Sequence, residues 1–292
     1  MDGVIVIDKS SQWTSHDVVN KMRRWVGTRK VGHLGTLDPA ATGVLPLVVG
    51  RATRLAQFYT RNDKIYEGVV HFGYSTNSYD GDGEATSPEQ PVTITAEQLE
   101  LLLAKFRGPI SQMPPAVSAK KIAGRPAYEL ARKNLPVELK PVDVEIYALD
   151  LLAVEGNEAR LRIHCSSGTY IRSIAHDLGQ ALGCGAFLKS LRRTMSGDFK
   201  IEGARTLVDI EQLAAEGRVS EALIPASSLL PDFPAVPVDD ITAAQIRNGR
   251  EFRTSPFSGI TAPRVKALNS AGELLAIGEA RMPNLYHPIL VL

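Results

Sequence analysis

The sequence lacks the patterns that identify most metalloproteins, secreted proteins and membrane proteins. Its two cysteines among 292 residues are too few for a disulfide framework, and neither a CxxC pair nor an HExxH motif predicts a metal site. The first apolar run, Val4–Ile7, is far shorter than the core of a secretion signal. No stretch approaches the roughly 18 apolar residues of a membrane span. We therefore expect a cytoplasmic protein with no membrane association and no metal.

An excess of one charge is also missing. Lys and Arg number 33 against 32 Asp and Glu, which leaves a formal net charge of +1. This balance argues against a histone-like or tail-driven binder of nucleic acid, although a local basic face remains compatible with it. With 44% hydrophobic and 22% charged residues, the composition is that of an ordinary globular protein.

Helical and strand patterns alternate in a way that predicts an α+β fold with a mixed, mainly antiparallel sheet. Capping boxes at Thr14 and Thr95 each predict a helix start. Val4–Ile7 and Gly43–Gly50 have the pattern of buried strands. We expect the second to lie near a sheet edge, because Pro46 cannot donate a ladder hydrogen bond.

The second half of the sequence predicts a hairpin, a helix and a domain boundary. Val144–Val154 and Ala159–Cys165 read as paired strands, and a helix is expected over Gly168–Leu182. Prolines then recur every third residue, which favours an extended linker; they are Pro231, Pro234 and Pro237. We therefore expect a large domain over residues 1–232 and a small β-rich module over residues 238–292.

The segment GHLGTLDPAATGVL, residues 32–45, presents one carboxylate on a constrained loop. Its glycines permit backbone conformations closed to other residues, and Pro39 restricts its own φ and the conformation of Asp38. A nucleophile requires such rigid presentation. The same residues also fit a structural aspartate that caps a turn, so the loop alone leaves both interpretations open.

This fourteen-residue window closely resembles the signature of the TruB-type pseudouridine synthases, which act on uridine 55 in the T-loop of tRNA. The resemblance implies the fold of that family, with Asp38 as the catalytic nucleophile. It also implies that His33 lies in a loop that contacts RNA. The 238–292 module weakly resembles the small RNA-binding PUA-like domain of relatives.

Three further stretches resemble family segments in the same order along the chain. DKIYEGVV contains Tyr66, CSSGTYIRSIAHDLG contains Tyr170 and Arg172, and LRRTMSGDF contains Leu191. The resemblance implies that Tyr66 and Arg172 join Asp38 in catalysis. It implies that Tyr170 lies in the same site and that Leu191 packs against the target base. Asn77, where the family commonly has Asp, is a departure outside these motifs.

The implied reaction exchanges a bond from the sugar to nitrogen for one to carbon 5, and no cofactor is expected. The target uridine must leave its folded loop, at a cost of a few kcal/mol. Tyr66 could then stack on the extruded base, and His33 could fill the space that it vacates. Arg172 would pair with Asp38 and orient its carboxylate.

A basic insertion at about residues 116–141 is expected to contact RNA. The segment 118–141 carries a net charge of +4 within a nearly neutral chain. Its expected contacts to the RNA backbone are Lys120, Lys121, Arg125, Arg132 and Lys133. Such a run can also be merely a solvated face.

Two other functions remain open. One is a guide-RNA-dependent pseudouridine synthase of the archaeal or eukaryotic type, which shares the motif around Asp38. The other is a non-catalytic protein that binds or folds RNA, although Asp38, Tyr66 and Arg172 are all present. We favour a monomeric enzyme that acts on the T-arm of tRNA with no obligate protein partner.

Overall fold

The computed structural model describes residues 1–115, 121–122, 125–126 and 139–292, and it confirms the predicted α+β fold. The strands of the large sheet and of a small hairpin are β1 Gly3–Lys9, β2 Val31–His33, β3 Thr42–Val49, β4 Lys64–Phe72, β5 Gly108–Gln112, β6 Lys121–Ile122, β7 Arg125–Pro126, β8 Val142–Glu155, β9 Glu158–Cys165, β10 Ala186–Ser196, β11 Phe199–Lys200, β12 Arg205–Thr206 and β13 Ile224–Pro225. The remaining strands are β14 Ala235–Pro237, β15 Phe252–Arg253, β16 Arg264–Leu268, β17 Leu274–Met282 and β18 Leu285–Val291. The α-helices of the described residues are α1 Ser15–Trp25, α2 Ala96–Leu103, α3 Ile171–Leu182, α4 Leu207–Ala215 and α5 Asp240–Arg247.

The main sheet of the described chain runs in the order β12-β1-β3-β10-β4-β9-β8-β5. Most neighbours are antiparallel, as predicted, and the parallel pairs are β1 with β12 and β3 with β10. β4 lies in the middle of this sheet and every second residue of it is buried, so one of its faces packs against the core. The predicted hairpin of β8 and β9 is present, with Gly156 in a left-handed conformation at its turn.

The prediction that Pro46 lies near a sheet edge is wrong. β3 pairs with β1 over residues 43–49, with β2 over residues 47–49 and with β10 at residues 42–43. Pro46 falls where β2 has ended and β10 has diverged, so no ladder donor is required of it. Its carbonyl accepts a hydrogen bond from the Leu34 N–H at 3.0 Å. A local gap in the pairing, rather than the sheet edge, accommodates the proline.

Both predicted capping boxes are present and position the helices against the sheet. Thr14 and Asp17 exchange side-chain-to-backbone hydrogen bonds at the start of α1, and Thr95 and Gln98 do the same for α2. α3 begins at Ile171, three residues later than Gly168, where the sequence placed its start, and Gly183 ends it in a left-handed conformation. The late start leaves residues 166–170 as a loop beside β4.

The second sheet has the order β14-β16-β17-β18-β15 and lies over residues 235–291. It packs against the main sheet through a shared apolar cluster that includes Val4, Val48 and Ile277. The buried Lys266 ammonium ties the two parts together by donating to the carbonyls of Ser227 and Leu229. The division into domains at residues 232 and 238 stays a prediction.

Most of the predicted basic insertion lies outside the described residues, and so do Lys120, Arg132 and Lys133. Lys121 and Arg125 belong to the short antiparallel pair β6–β7. No helix of the described chain is long and apolar enough to cross a membrane.

We predict that Gly43→Ala destabilises the fold more than Gly27→Ala. Both glycines have positive φ, at +98° and +67°, so either alanine strains the backbone by about 1–2 kcal/mol. A Cβ on Gly43 would also lie 2.2 Å from the Arg193 carbonyl of β10, whereas a Cβ on Gly27 meets nothing within 4 Å. We expect the free energy of unfolding in urea to fall by on the order of 3–4 kcal/mol for Gly43→Ala. Equal losses for the two variants would contradict the close approach of β3 and β10.

Candidate active site

A cavity of about 410 Å³ opens where the loop after β2, the middle of β4 and β10, and the start of α3 converge. It brings together every residue that the motifs nominated for catalysis and base contact, from four separate parts of the sequence. These are His33, Asp38, Tyr66, Tyr170, Arg172 and Leu191. Their convergence follows from topology, since β4 and β10 are neighbours and α3 connects β9 to β10.

The loop that carries Asp38 is fixed on both sides of this residue. The Ser15 hydroxyl of α1 donates to the Leu37 carbonyl at 3.1 Å and accepts from the Leu37 N–H at 2.9 Å. The carbonyl of Pro39 accepts from the Lys9 ammonium at 3.0 Å and from the Gln12 N–H at 2.9 Å. Such double anchoring limits the freedom of the carboxylate between the two anchors.

Asp38 forms an ion pair with Arg172, which also holds a second carboxylate. The Nη2 atom of Arg172 lies 3.0 Å from Asp38 Oδ2, and its Nη1 atom lies 3.1 Å from Asp80 Oδ2. The side chain of Asp38 is 46% exposed, whereas those of Asp80 and Arg172 are 19% and 8% exposed. The guanidinium is therefore buried between two carboxylates, of which only Asp38 is open to a ligand in the cavity.

The sequence interpretation missed Asp80. Asp80 lies outside the four motifs that nominated the other site residues, and the described residues contain no group of three or more potential metal ligands. Arg172 also donates to the Ser78 carbonyl at 3.2 Å, so the turn before Asp80 is held by the same side chain. The one sequence signal for Asp80 was its position in a glycine-rich turn, Asp80–Gly83.

Tyr66 lies in β4 directly opposite Arg193 of β10, and its side chain is buried at the floor of the cavity. Burial raises the pKa of Tyr66, an effect that the nearby Arg193 opposes. The phenol therefore keeps its proton at neutral pH, which favours a hydrogen-bonding or stacking role over that of a free phenolate base.

His33 ends β2 at the rim of the cavity. Burial lowers the pKa of His33, and the neighbouring Arg193 and His16 lower it further, so the ring is neutral at pH 7. Its Nδ1 atom is buried and has no hydrogen-bond partner within the described chain. A buried polar atom left unpaired is costly, which marks this ring as able to gain a partner when the cavity is occupied.

Tyr170 and Leu191 complete the lining. The backbone of Tyr170 is held by the Gln112 amide, which accepts from its N–H at 2.7 Å and donates to its carbonyl at 2.9 Å. Leu191 faces Gly68 across the β10–β4 pair. A Cβ at Gly68 would lie 3.4 Å from Leu191 Cδ1 and 3.2 Å from Leu188 Cδ1, so the glycine allows the leucine to pack closely against β4 at the cavity wall.

Arg193 was not singled out by the sequence, although it lies in a recognised motif. Its guanidinium is fully buried and donates to three backbone carbonyls, at 2.7 Å, 3.3 Å and 3.0 Å; the acceptors are Val44, Thr36 and Gly35. These carbonyls belong to the loop before Asp38 and to the gap beside Pro46. Arg193 thus replaces the missing strand partner at that gap. The pairing of β10 with β4 has a β-bulge between Arg193 and Met195, and bulges commonly reorient a neighbouring side chain in this way.

Comparison with known proteins decides which family this site belongs to. The model of the TruB family pseudouridylate synthase N-terminal domain matches residues 23–171, and that of the tRNA pseudouridylate synthase B C-terminal domain matches residues 172–231. The chain belongs to the TruB family. The motifs around Asp38 and Tyr66 fall within the first of these matches, and the motif around Tyr170 and Arg172 spans the boundary between the two.

Curated relatives of the TruB family match the chain over nearly its whole length. The tRNA pseudouridine synthase B of Solibacter usitatus is 66% identical and is covered completely, as is this chain. That of Pseudomonas fluorescens is 42% identical over 96% of this chain and 92% of its own. The chain is therefore a pseudouridine synthase, an isomerase, and its substrate is tRNA.

Solved structures show the same fold in less similar chains. A chain of a Cbf5-Nop10-Gar1 complex is 29% identical with a TM-score of 0.71, covering 97% of this chain and 79% of that one. A chain of an H/ACA RNP bound to a substrate RNA is 27% identical, also with a TM-score of 0.71, covering 99% and 84%.

We predict that Arg193→Lys impairs this TruB site far more than Arg192→Lys. A lysine cannot supply the planar fork that meets the three carbonyls, so at least one buried acceptor would lose its donor, at a cost of about 1–3 kcal/mol. Arg192 instead pairs with Asp8 and is 42% exposed, so its replacement is a matched control. Measured stability and pseudouridine formation should both fall for Arg193→Lys. Indistinguishable variants would refute its anchoring role.

We also predict a stability signature of Lys9. Burial lowers the pKa of Lys9 to about 8 from 10.5, opposed by Asp38 and assisted by Arg193. Between those values the native lysine is neutral while the unfolded chain still binds the proton. Unfolding therefore takes up a proton, and the contribution of Lys9 to stability rises with pH across this window.

The test compares the pH dependence of stability with and without this lysine. The free energy of unfolding in urea is measured at pH 7.5 and at pH 10. Its change from the lower to the higher pH should be more positive for the wild type than for Lys9→Met. Lys105→Met, which removes an exposed lysine, serves as the control and should match the wild type. The same change in all three proteins would contradict the lowered pKa.

Proposed function

We propose that this chain isomerises uridine 55 in the T-loop of tRNA, with Asp38 as the nucleophile on an extruded nucleotide. The observation that carries the proposal is the partly exposed Asp38 carboxylate, held by a buried Arg172 inside a cavity floored by Tyr66. The family supports tRNA as the substrate. The position and the role of each side chain are our inference.

The cavity size supports a base extruded from its loop. A volume of about 410 Å³ accommodates a nucleoside, whereas the stacked loop of an RNA does not enter it. Extrusion costs a few kcal/mol, and stacking on an aromatic side chain recovers about 1–3 kcal/mol. Tyr66 and Leu191 would enclose the base, and His33 at the rim would take up its former place in the loop.

The reaction then requires a nucleophile, a departing base and a proton relay. Asp38 attacks the nucleoside and forms a covalent intermediate while the bond between the sugar and nitrogen 1 breaks. The base reorients, carbon 5 bonds to the sugar, and the Asp38 carboxylate is released. Carbon 5 gives up its proton and nitrogen 1 gains one, so the reaction is an isomerisation without redox change. Tyr66 is the candidate to assist the proton removal as a protonated hydrogen-bonding group.

The buried ion pair supports Asp38 as the reacting carboxylate. If Arg172 moved away, Asp80 would remain as a largely buried charge without a partner. The guanidinium therefore stays in place and orients Asp38 throughout the cycle. Holding a reacting group in place can account for several kcal/mol of a barrier. Tyr170 would line the wall next to Arg172.

Positive charge beside the cavity supports binding of the RNA backbone. Arg23, Arg24, Arg29 and Lys30 flank the start of β2, whose other end is His33. Phosphate contacts of this kind position a nucleic acid without reading its sequence. We expect the basic insertion and the 238–292 module to add contacts to the T-arm.

A guide-dependent mode is the second candidate, because the similar solved chains come from a Cbf5-Nop10-Gar1 complex and an H/ACA RNP. Against it stands the 66% identity to a tRNA pseudouridine synthase B along the whole chain. We therefore propose a stand-alone enzyme and expect a monomer with no obligate protein partner.

We predict that Asp38→Asn and Asp80→Asn differ sharply in their effect on turnover. With a T-arm hairpin carrying tritium at carbon 5 of its uridines, Asp38→Asn should lower tritium release by at least about a thousandfold, because the nucleophile is lost. Asp80→Asn should lower it by roughly 10- to 100-fold, because Arg172 shifts but Asp38 remains.

Binding of the hairpin controls for misfolding. Both variants should bind the hairpin with affinity near that of the wild type, since neither change removes a phosphate contact. If Asp38→Asn turned over like the wild type, Asp38 would not be the nucleophile. If Asp80→Asn were as inactive as Asp38→Asn, the assignment of roles between the two carboxylates would fail.

A further inference from the structure

A second cavity of about 420 Å³ adjoins the first and shares Tyr59 and Thr60 with it. Its walls come from four regions: the end of the 3-10 helix Gly50–Phe58 with the loop that follows, the turn at Asp198, the segment that leads into the second sheet, and the first residue of β16. The side chains that matter for its chemistry are Phe58, Arg61, Asp198, Asp232, Phe233 and Arg264.

We propose that this second cavity binds a nucleotide of the same RNA, adjacent in sequence to the uridine in the first cavity, and favours a base with an amino group. The inference rests on the proposed function, because it requires an extruded target in the first cavity. It assigns a ligand to a part of the molecule that the isomerisation itself does not use.

The aromatic wall suits a flat ligand. Phe58 and Phe233 meet edge to face with their ring centroids 5.7 Å apart, and the Arg264 guanidinium lies 5.7 Å from the Phe58 centroid. Both rings are only half-buried, so surface remains for a further contact. Stacking on such side chains is open to every base and is a common way to hold single-stranded nucleic acid.

Two carboxylates supply selectivity. Burial raises the pKa of Asp198, and the neighbouring charges of Asp232 and Asp63 raise it further. Neither Asp198 nor Asp232 forms an ion pair within the described chain, although Asp198 contacts the Tyr59 hydroxyl. A donor group entering between them would relieve their repulsion. The amino groups of cytosine, adenine and guanine carry two hydrogens, one for each carboxylate, and carboxylates accept from them; uracil has no amino group and offers only one N–H on its pairing edge.

The cations of this cavity fit a phosphate. Arg61 is exposed and has no ion-pair partner among the described residues, while Arg264 pairs with Glu279 at 3.1 Å. Two arginines and two aspartates make the lining neutral overall. A base can therefore contact the carboxylates while the arginines offset their repulsion of the phosphate. This combination of aromatic, acidic and basic groups matches the three parts of a nucleotide.

The shared wall makes the two cavities neighbours on a fixed support. Tyr59 is 3% exposed, its hydroxyl accepts from the Leu230 N–H at 3.0 Å, and its ring lies 5.4 Å from that of Phe199. A wall held on both sides keeps the spacing of the cavities constant. A strand entering the first cavity with one nucleotide therefore meets the second with the next.

The experiment measures whether the cavity and the neighbouring base act together. Dissociation constants of T-arm hairpins are titrated for the wild type and for Asp232→Asn, an exposed position whose change should not affect folding. The hairpins carry, on the 5′ or the 3′ side of the target, cytosine, uracil or an abasic nucleotide. Asp150→Asn, at an exposed residue outside the cavity, is the matched control.

For one of the two sides, Asp232→Asn should weaken binding of the cytosine hairpin by about tenfold. It should leave the uracil and abasic hairpins nearly unchanged, while Asp150→Asn changes none of them. A loss that is the same for all hairpins, or no loss on either side, would overturn the proposal. Tritium release by the wild type is followed in parallel. If tritium release is absent while the binding pattern holds, the proposed catalytic step fails, whereas the binding of the extruded uridine and of its neighbour stands.

Discussion

The ion-pair bridge from Asp38 through Arg172 to Asp80 is the interaction on which the site depends. It joins three parts of the chain that are far apart in sequence: the loop after β2, the first turn of α3 and the turn after β4. A guanidinium buried to this degree is stable only while it is paired. Asp80 meets that requirement by itself, which leaves Asp38 free to react without the cation losing its partners.

A second buried cation, Arg193, stabilises the loop that carries Asp38. Arg193 fills the gap that Pro46 leaves beside β3, and in doing so it fixes the backbone before Asp38. Lys9 fixes the backbone after it, through the Pro39 carbonyl. The carboxylate is thus held by hydrogen bonds to main-chain atoms around it, and its own oxygens are left for Arg172 and for a substrate. Rigid presentation of this kind is what a nucleophile needs.

Much of this was predictable from sequence, because the signals were local. The capping boxes at Thr14 and Thr95 and the turn at Gly156 depend on neighbouring residues, and the motif around Asp38 is contiguous. Features that depend on distant partners were missed. The interior position of β3 arises from how β2 and β10 share its edge, and Asp80 and Arg193 acquire their meaning only through contacts about 90 and 150 residues away in the chain.

The most direct test of the account is to map pseudouridine in an unmodified tRNA transcript after incubation with the purified chain alone. We expect modification of one T-loop uridine, at position 55, by the wild type and none by Asp38→Asn. Modification elsewhere would contradict the proposed target. An unmodified transcript that becomes modified only when a guide RNA or a partner protein is added would contradict the stand-alone mechanism.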